Sequence, residues 1–206
     1  MKFTTIWLAL VAFLMSFSVV LAGEMDMENT LYLQLKDGRV VIQMFPDKAP
    51  KHVARIKELA RAHFYDGLLF HRVIEGFMAQ AGDPTGTGAG GSDKPNLPAE
   101  FSGLSHTRGT VSMARRGNDV NSANSQFFIV FKDSDFLDGQ YTIWGRVVEG
   151  MELVDKIKRG AGQSGMVENP DNILTLQVAA DVEPKQAAPS SVSKLKTRPK
   201  ARVGAQ

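Results

Sequence analysis

Two hydrophobic periods alternate along this chain. Thr30–Leu35 (TLYLQL) and Ile173–Val178 (ILTLQV) place apolar residues at every second position, as a strand with one buried face does. Val40–Phe45 (VVIQMF) follows the first of these, and Asp37-Gly38 between them reads as a hairpin turn. Pro50 stands where a first helical turn begins. Val53, Ile56, Leu59, Ala60 and Phe64 then recur at helical spacing, which predicts an amphipathic helix over 50–64. Leu68–Val73 and Phe77–Gln80, separated by Glu75-Gly76, read as strands, as do Thr110–Ala114, Gln126–Phe131 and Tyr141–Val148. Met151, Val154 and Ile157 return to helical spacing within 147–158, with Gly160 as a stop. About eight short strands and two helices point to a barrel or a sandwich, not to a βαβ sheet. Residues 82–109 break the pattern: Gly82, Gly86, Gly88, Gly90, Gly91, Gly103 and Gly109 come with Pro84, Pro95 and Pro98. So long an irregular excursion inside a compact domain is usually functional.

The two ends differ from this body. Lys2, an apolar run from Ile6 to Leu21 broken only by Ser16 and Ser18, and Val20-Leu21-Ala22 read together as an export signal over 1–22, cleaved after Ala22. The run is short of the roughly 20 residues of a spanning helix, so no stable membrane span is expected after cleavage. A periplasmic location is the expectation. From Glu183 the composition shifts to Pro, Ala, Ser and Lys/Arg, and 183–206 is expected to be a solvated basic tail around a domain spanning 23–182. The formal charge of +2 hides an asymmetry. Six Lys/Arg lie in 184–206 and one Lys in 1–22, which leaves the middle at about −5. An acidic body with a short basic tail is not the footprint of a nucleic-acid-binding domain.

The chemical inventory is sparse. With no Cys there are no disulfides, thiolate nucleophiles or Cys-ligated metals, and four His (His52, His63, His71, His106) leave little for a histidine site. Gly86–Gly91 lacks the following G-K-[ST] of a phosphate loop. Asp133, Asp135 and Asp138 read as a solvated acidic turn, and His71 as a partly buried structural histidine. No nucleophile–base pair is evident, which disfavours hydrolysis; no cofactor or metal is expected. Alternation places Phe70 with Arg72, Met78 with Gln80, and Gln126 with Phe128 on shared faces. Such faces do not suit water. They suggest an apolar pocket edged by neutral hydrogen-bonding groups and one fixed cation.

Five segments, FHRVIEGFMAQAGD (70–83), GTGAGG (86–91), GTVSMA (109–114), NSQFFIVF (124–131) and FLDGQYTIWGRVVEGMELVDKI (136–157), resemble the cyclophilin family of peptidyl-prolyl cis–trans isomerases, in the family's order. The likeness is greatest to its bacterial exported branch. It implies a mainly β fold, a closed eight-stranded antiparallel barrel capped by two α-helices. It implies isomerisation of X-Pro bonds in proline-containing unfolded or partly folded polypeptides, with Arg72 as the catalytic arginine, supported by Gln80 and Phe77. Met78, Phe128, Phe136 and Leu137 would form the rest of the proline pocket. Ala114 and Arg115 would hold the substrate backbone, and Gln126 would border a neighbouring pocket. Three positions depart from the family. Arg115 stands where Asn is usual. Phe136 replaces the Trp of many eukaryotic members, which implies weak binding of cyclosporin-type ligands. Tyr141 stands in the pocket wall where those members have His. A non-catalytic proline-peptide binder or chaperone using the same groove, and an envelope protein acting through its tail, are the other readings.

Overall fold

The computed structural model describes residues 26–182; the expected signal segment and the basic tail lie outside the described residues. Eight strands form one antiparallel sheet: β1 (Thr30–Leu35), β2 (Gly38–Met44), β3 (Arg72–Ile74), β4 (Met78–Ala81), β5 (Thr110–Met113), β6 (Phe127–Val130), β7 (Ile143–Glu149) and β8 (Thr175–Val178). Their spatial order is β3-β4-β6-β5-β7-β2-β1-β8. The end strands β3 and β8 do not pair, so the expected closed ladder is not what the hydrogen bonds make. The curled sheet is bridged instead by backbone bonds from 160–173. Val73 N–H donates to Gly165 O, Gly160 N–H to Val73 O, Phe70 N–H to Asp171 O and Ile173 N–H to Leu68 O.

The core fills the concave side. Leu31 and Leu33 of β1, Val40 and Ile42 of β2, Ala79 and Ala81 of β4, Phe127 and Ile129 of β6, and Trp144 of β7 are fully buried. Burying one large apolar side chain is worth about 1.5–3 kcal/mol. The helix α1 (Pro50–Arg61) adds Val53, Ile56, Leu59 and Ala60 to the same core. Its N-cap is Ala49, whose side chain cannot bond the free N–H groups of the first turn. Glu100 supplies that cap from 48 residues away, its carboxylate accepting from Lys51 N–H and His52 N–H at 3.1 Å.

Several expected boundaries move. The helix ends at Arg61 rather than 64, because His63 turns left-handed (φ 55) and Phe64 N–H folds back to Leu59 O. The hairpin loop is Lys36-Asp37, with Gly38 already opposite Leu35 in β2. The strand expected at Leu68–Val73 starts only at Arg72, and its predecessor residues bond the 171–173 segment instead. Phe70 enters the core while Arg72 faces outward, so the two do not share a face. The second expected helix is one turn, α2 (Met151–Val154), because β7 keeps pairing with β2 as far as Glu149 and Gly150 breaks the strand at φ 81. An unforeseen α3 (Ala179–Val182) follows β8. No helix among the described residues is long and apolar enough to cross a membrane.

Candidate active site

One rung of the sheet builds the site. Arg72 on β3 lies opposite Gln80 on β4, Gln80 opposite Phe128 on β6, and Phe128 opposite Ser112 on β5. Cross-strand partners point to the same side of a sheet, here the side away from the main core. Around this rung Met78, Phe128, Val130 and Leu137 form a second, small apolar cluster, flanked by Ile74, Phe77, Ala114 and Tyr141. Above it opens a cavity of about 380 Å³. Met78 and Phe128 make its floor, 1% and 5% exposed. Its wall comes from a 3₁₀ turn, Asp135–Leu137, that places Leu137 inside and Phe136 at the lip, 65% exposed. The Phe136 ring leans on Phe77 with centroids 5.4 Å apart. Tyr141 meets Phe128 edge-on at 5.5 Å.

Arg72 is held from two sides. Its Nε donates to Ser164 O at 3.0 Å, and its Nη1 to Gln80 Oε1 at 3.2 Å. Gln80 Nε2 donates in turn to Gln126 Oε1 at 2.8 Å, and Gln126 Nε2 to the carbonyls of Gly88 and Gly90. The order of donors is therefore fixed from the guanidinium to the glycine-rich loop. That loop is organised by Asp83, which is buried. Burial alone would raise its pKa. Bonds from Thr85 N–H and hydroxyl and from the N–H groups of Gly90 and Gly88 outweigh it and hold the carboxyl at about 2. A side chain at Gly90 would strike the Asp83 carboxylate, and one at Gly82 (φ 92) would strike Ser125 O.

Behind Phe128 lies a trio not foreseen from the sequence. His106 Nδ1 donates to Asp138 Oδ1 at 2.8 Å, since a carboxylate only accepts, and Ser112 Oγ–H donates to His106 Nε2 at 2.9 Å. Burial lowers the His106 pKa despite Asp138, so the ring is neutral. Hydrogen-bonded Ser, His and Asp are the parts of a hydrolytic triad, and to that extent the expectation of no nucleophile–base pair is corrected. Ser112 and His106 are nonetheless fully buried, and the His106 ring stacks on Phe128 at 6.2 Å. The hydroxyl has no route to a substrate; the trio acts as a polar backing for the pocket floor. The acidic turn is solvated as expected at Asp133 and Asp135, which are exposed, and is refined at Asp138, which receives His106 N–H.

The structure brings all the expected residues together around two adjoining cavities. Arg72, Phe77, Met78, Gln80, Ala114, Arg115, Phe128, Phe136, Leu137 and Tyr141 line the first. Gln126 lines its neighbour. Arg115 does not reach inward as a free charge. Its Nε donates to Gln140 O at 3.0 Å, and its guanidinium lies 4.6 Å over the Tyr141 ring. Gln140, which also lines the first cavity, and Ser164 gave no signal in sequence, the latter because it meets Arg72 from 92 residues away. His71 is more deeply buried than expected and packs beneath Gly88.

The comparisons with known proteins agree with this geometry. Residues 30–178 match the family model described as "Cyclophilin type peptidyl-prolyl cis-trans isomerase/CLD". A "Probable peptidyl-prolyl cis-trans isomerase" of Brucella suis is 52% identical over 178 residues, covering 81% of this chain and 90% of its own. Peptidyl-prolyl cis-trans isomerase B of Bacillus subtilis is 42% identical over 135 residues, covering 64% and 92%. Among solved structures, a cyclophilin from Hirschia baltica superposes with a TM-score of 0.70 at 30% identity, covering 78% of this chain and 77% of that one. A cyclophilin-type isomerase of Cryptosporidium parvum, crystallised in the presence of the dipeptide Ala-Pro, gives 0.68 at 28%, covering 72% and 98%. The sheet order, the apolar cavity and these likenesses lead to one conclusion: this chain belongs to the cyclophilin family and is a peptidyl-prolyl cis–trans isomerase.

Proposed function

We propose that this isomerase assists the folding of exported proteins by rotating X-Pro bonds in the cavity between Arg72 and Phe128. The barrier to that rotation is about 18–20 kcal/mol, because resonance gives the C–N bond double-bond character. Nothing covalent need break, so the chemistry is desolvation and placement of charge. Met78, Phe128 and Leu137 take the proline ring out of water. In water the planar amide is favoured by solvation of its dipole; in the apolar cavity that advantage shrinks. As the bond twists, the lone pair withdraws from the carbonyl and localises on the prolyl nitrogen. A guanidinium N–H aimed at that nitrogen interacts more strongly with the twisted state than with either planar one, which is the requirement for catalysis.

The observation that carries this reading is Arg72, fixed by Gln80 Oε1 and Ser164 O at the rim of the apolar cavity. Gln80 presents its amide beside the same rim and positions the cation. Phe77 and Phe136 close the outer side, and Ala114 with Arg115 borders the path of an extended backbone. The Ala-Pro dipeptide named with the Cryptosporidium relative supports proline-containing peptides as ligands. The signal-like residues 1–22 support export to the periplasm, and 183–206 is read as a tail without part in catalysis. Phe136 offers a smaller ring than Trp and only a carbon edge, which supports weak affinity for cyclosporin-type ligands. Exchange spectroscopy of a proline peptide with catalytic amounts of the mature chain tests the reading. Cross-peaks between cis and trans signals are expected. Peptide shifts without exchange would instead mark a binder.

A further inference from the structure

The cavity next to the proline pocket is the larger of the two, about 640 Å³, and it shares Gln80, Ala114 and Arg115 with it. Three cationic side chains line it, Lys94, Arg115 and Arg116, and no carboxylate does. Lys94 has a partner outside, Glu58 at 2.7 Å. Arg115 has only neutral ones, the carbonyls of Gln140, Arg116 and Gly117 and the face of Tyr141. Arg116 is exposed and forms no ion pair among the described residues. Asp119 of the same loop turns back to Asn121 N–H at 2.9 Å. The remaining wall is uncharged, built from the glycine-rich loop, Asn124 and Gln126.

We propose that this second cavity selects X-Pro segments that carry Asp or Glu within two residues of the proline. The inference rests on the first cavity being the proline pocket. An extended peptide rises about 3.3 Å per residue and alternates its side chains. A chain passing Ala114 therefore delivers a neighbouring side chain to the cation-lined space. A carboxylate there meets the exposed Arg116 guanidinium, which has no acidic partner among the described residues, while the Arg115 charge is held beside it by the Gln140, Arg116 and Gly117 carbonyls. The site is partly open to solvent, so the gain is that of a half-exposed pair and not of a buried one. A Glu peptide should exceed its Gln counterpart by about twofold to fivefold in kcat/KM.

The test uses the mature chain and peptides that differ only in Glu, Gln or Lys at each position within two residues of the proline, on either side. At about 20 mM salt the Glu peptide is expected to lead at one such position, and its lead to shrink toward parity at about 0.5 M. Arg116→Gln should narrow the ratio, and Arg116→Glu should reverse it in favour of Lys, a change of sign that a folding defect cannot produce. Equal rates for Glu and Gln at every position, with turnover intact, would overturn charge selection and leave the proline pocket standing. A Glu preference that survives in Arg116→Glu would overturn it too. Loss of turnover for every peptide in the parent chain would remove the proline-pocket reading and this one with it.

Discussion

Arg72 works through its direction as much as its charge. Two neutral acceptors, Gln80 Oε1 and Ser164 O, occupy Nη1 and Nε, and none of the described acidic residues competes for the guanidinium. Removing it in Arg72→Ala should lower kcat/KM more than tenfold, about 1.4 kcal/mol of transition-state stabilisation, with an unchanged circular dichroism spectrum. Arg72→Lys keeps the charge but not the planar fork. It should fall between parent and Arg72→Ala in a protease-coupled proline-peptide assay. A Lys variant as fast as the parent would show that charge alone suffices. Phe128 serves two masters: it floors the pocket and packs between His106 and Tyr141. Phe128→Ala should lose both peptide affinity and turnover. Chemical denaturation should show about 3 kcal/mol less stability, the usual cost of such a truncation.

At the scale of elements, the glycine-rich loop is the part whose form is least local. It has no regular structure, yet its Gly88 and Gly90 carbonyls anchor Gln126, and through Gln126 and Gln80 they set Arg72. Asp83 holds the loop by accepting their N–H groups. Its carboxyl titrates near 2 in the folded chain against an ordinary 3.8. The folded state therefore resists protonation more than the unfolded state does. The resulting stability, about 2 kcal/mol at about 1.4 per pK unit, is present above pH 4 and lost as pH falls toward 2. Denaturant titrations should show Asp83→Asn losing less stability than the parent between pH 5 and pH 2. The variant should also be several-fold slower at neutral pH, because the chain of amides to Arg72 loosens. An identical pH slope in both proteins would remove Asp83 from this role. Contrast α1, whose register and buried face were legible from residue spacing but whose cap, Glu100, was not: the partner is close only after folding.

For the whole molecule, three neutral histidines are locked inside. His52, His71 and His106 are all buried, and burial is the leading cause that lowers each pKa below the ordinary 6.5, against the pull of Glu100, Asp83 and Asp138 respectively. His52 fits this state: Nδ1 donates to Glu100 at 2.6 Å, and Nε2 is left buried without a partner. As pH drops below about 6.5 the unfolded chain takes up protons that the folded chain refuses. Stability is therefore full above that pH and declines below it. Urea midpoints should be lower at pH 5.5 than at pH 7.5, a window in which ordinary carboxylates do not titrate. A second global feature joins the chain's described ends. Arg61 of α1 donates to Glu28 at 2.8 Å and to Asp181 at 2.9 Å. These pairs are exposed, so Arg61→Ala should lower Tm by only a few degrees, and less at high salt, while leaving turnover intact.

Period-two and helical spacing determined the strands, the long helix and the faces of β4 and β6, because those follow from which side chains each segment must bury. The pocket residues were legible as a group for the same reason: Met78, Gln80 and Phe128 make a face too apolar for water and too polar for the core. Their assignment to roles came from likeness to a family, not from spacing. Tertiary structure alone decided that Phe70 turns into the core while Arg72 turns out, that β3 and β8 do not pair with each other, and that Ser164, Gly88 and Gly90 reach the site. Each of these depends on backbone groups dozens of residues apart. A backbone N–H or carbonyl is the same in every residue, so sequence carries no mark of which one will meet which until the chain has closed around its core.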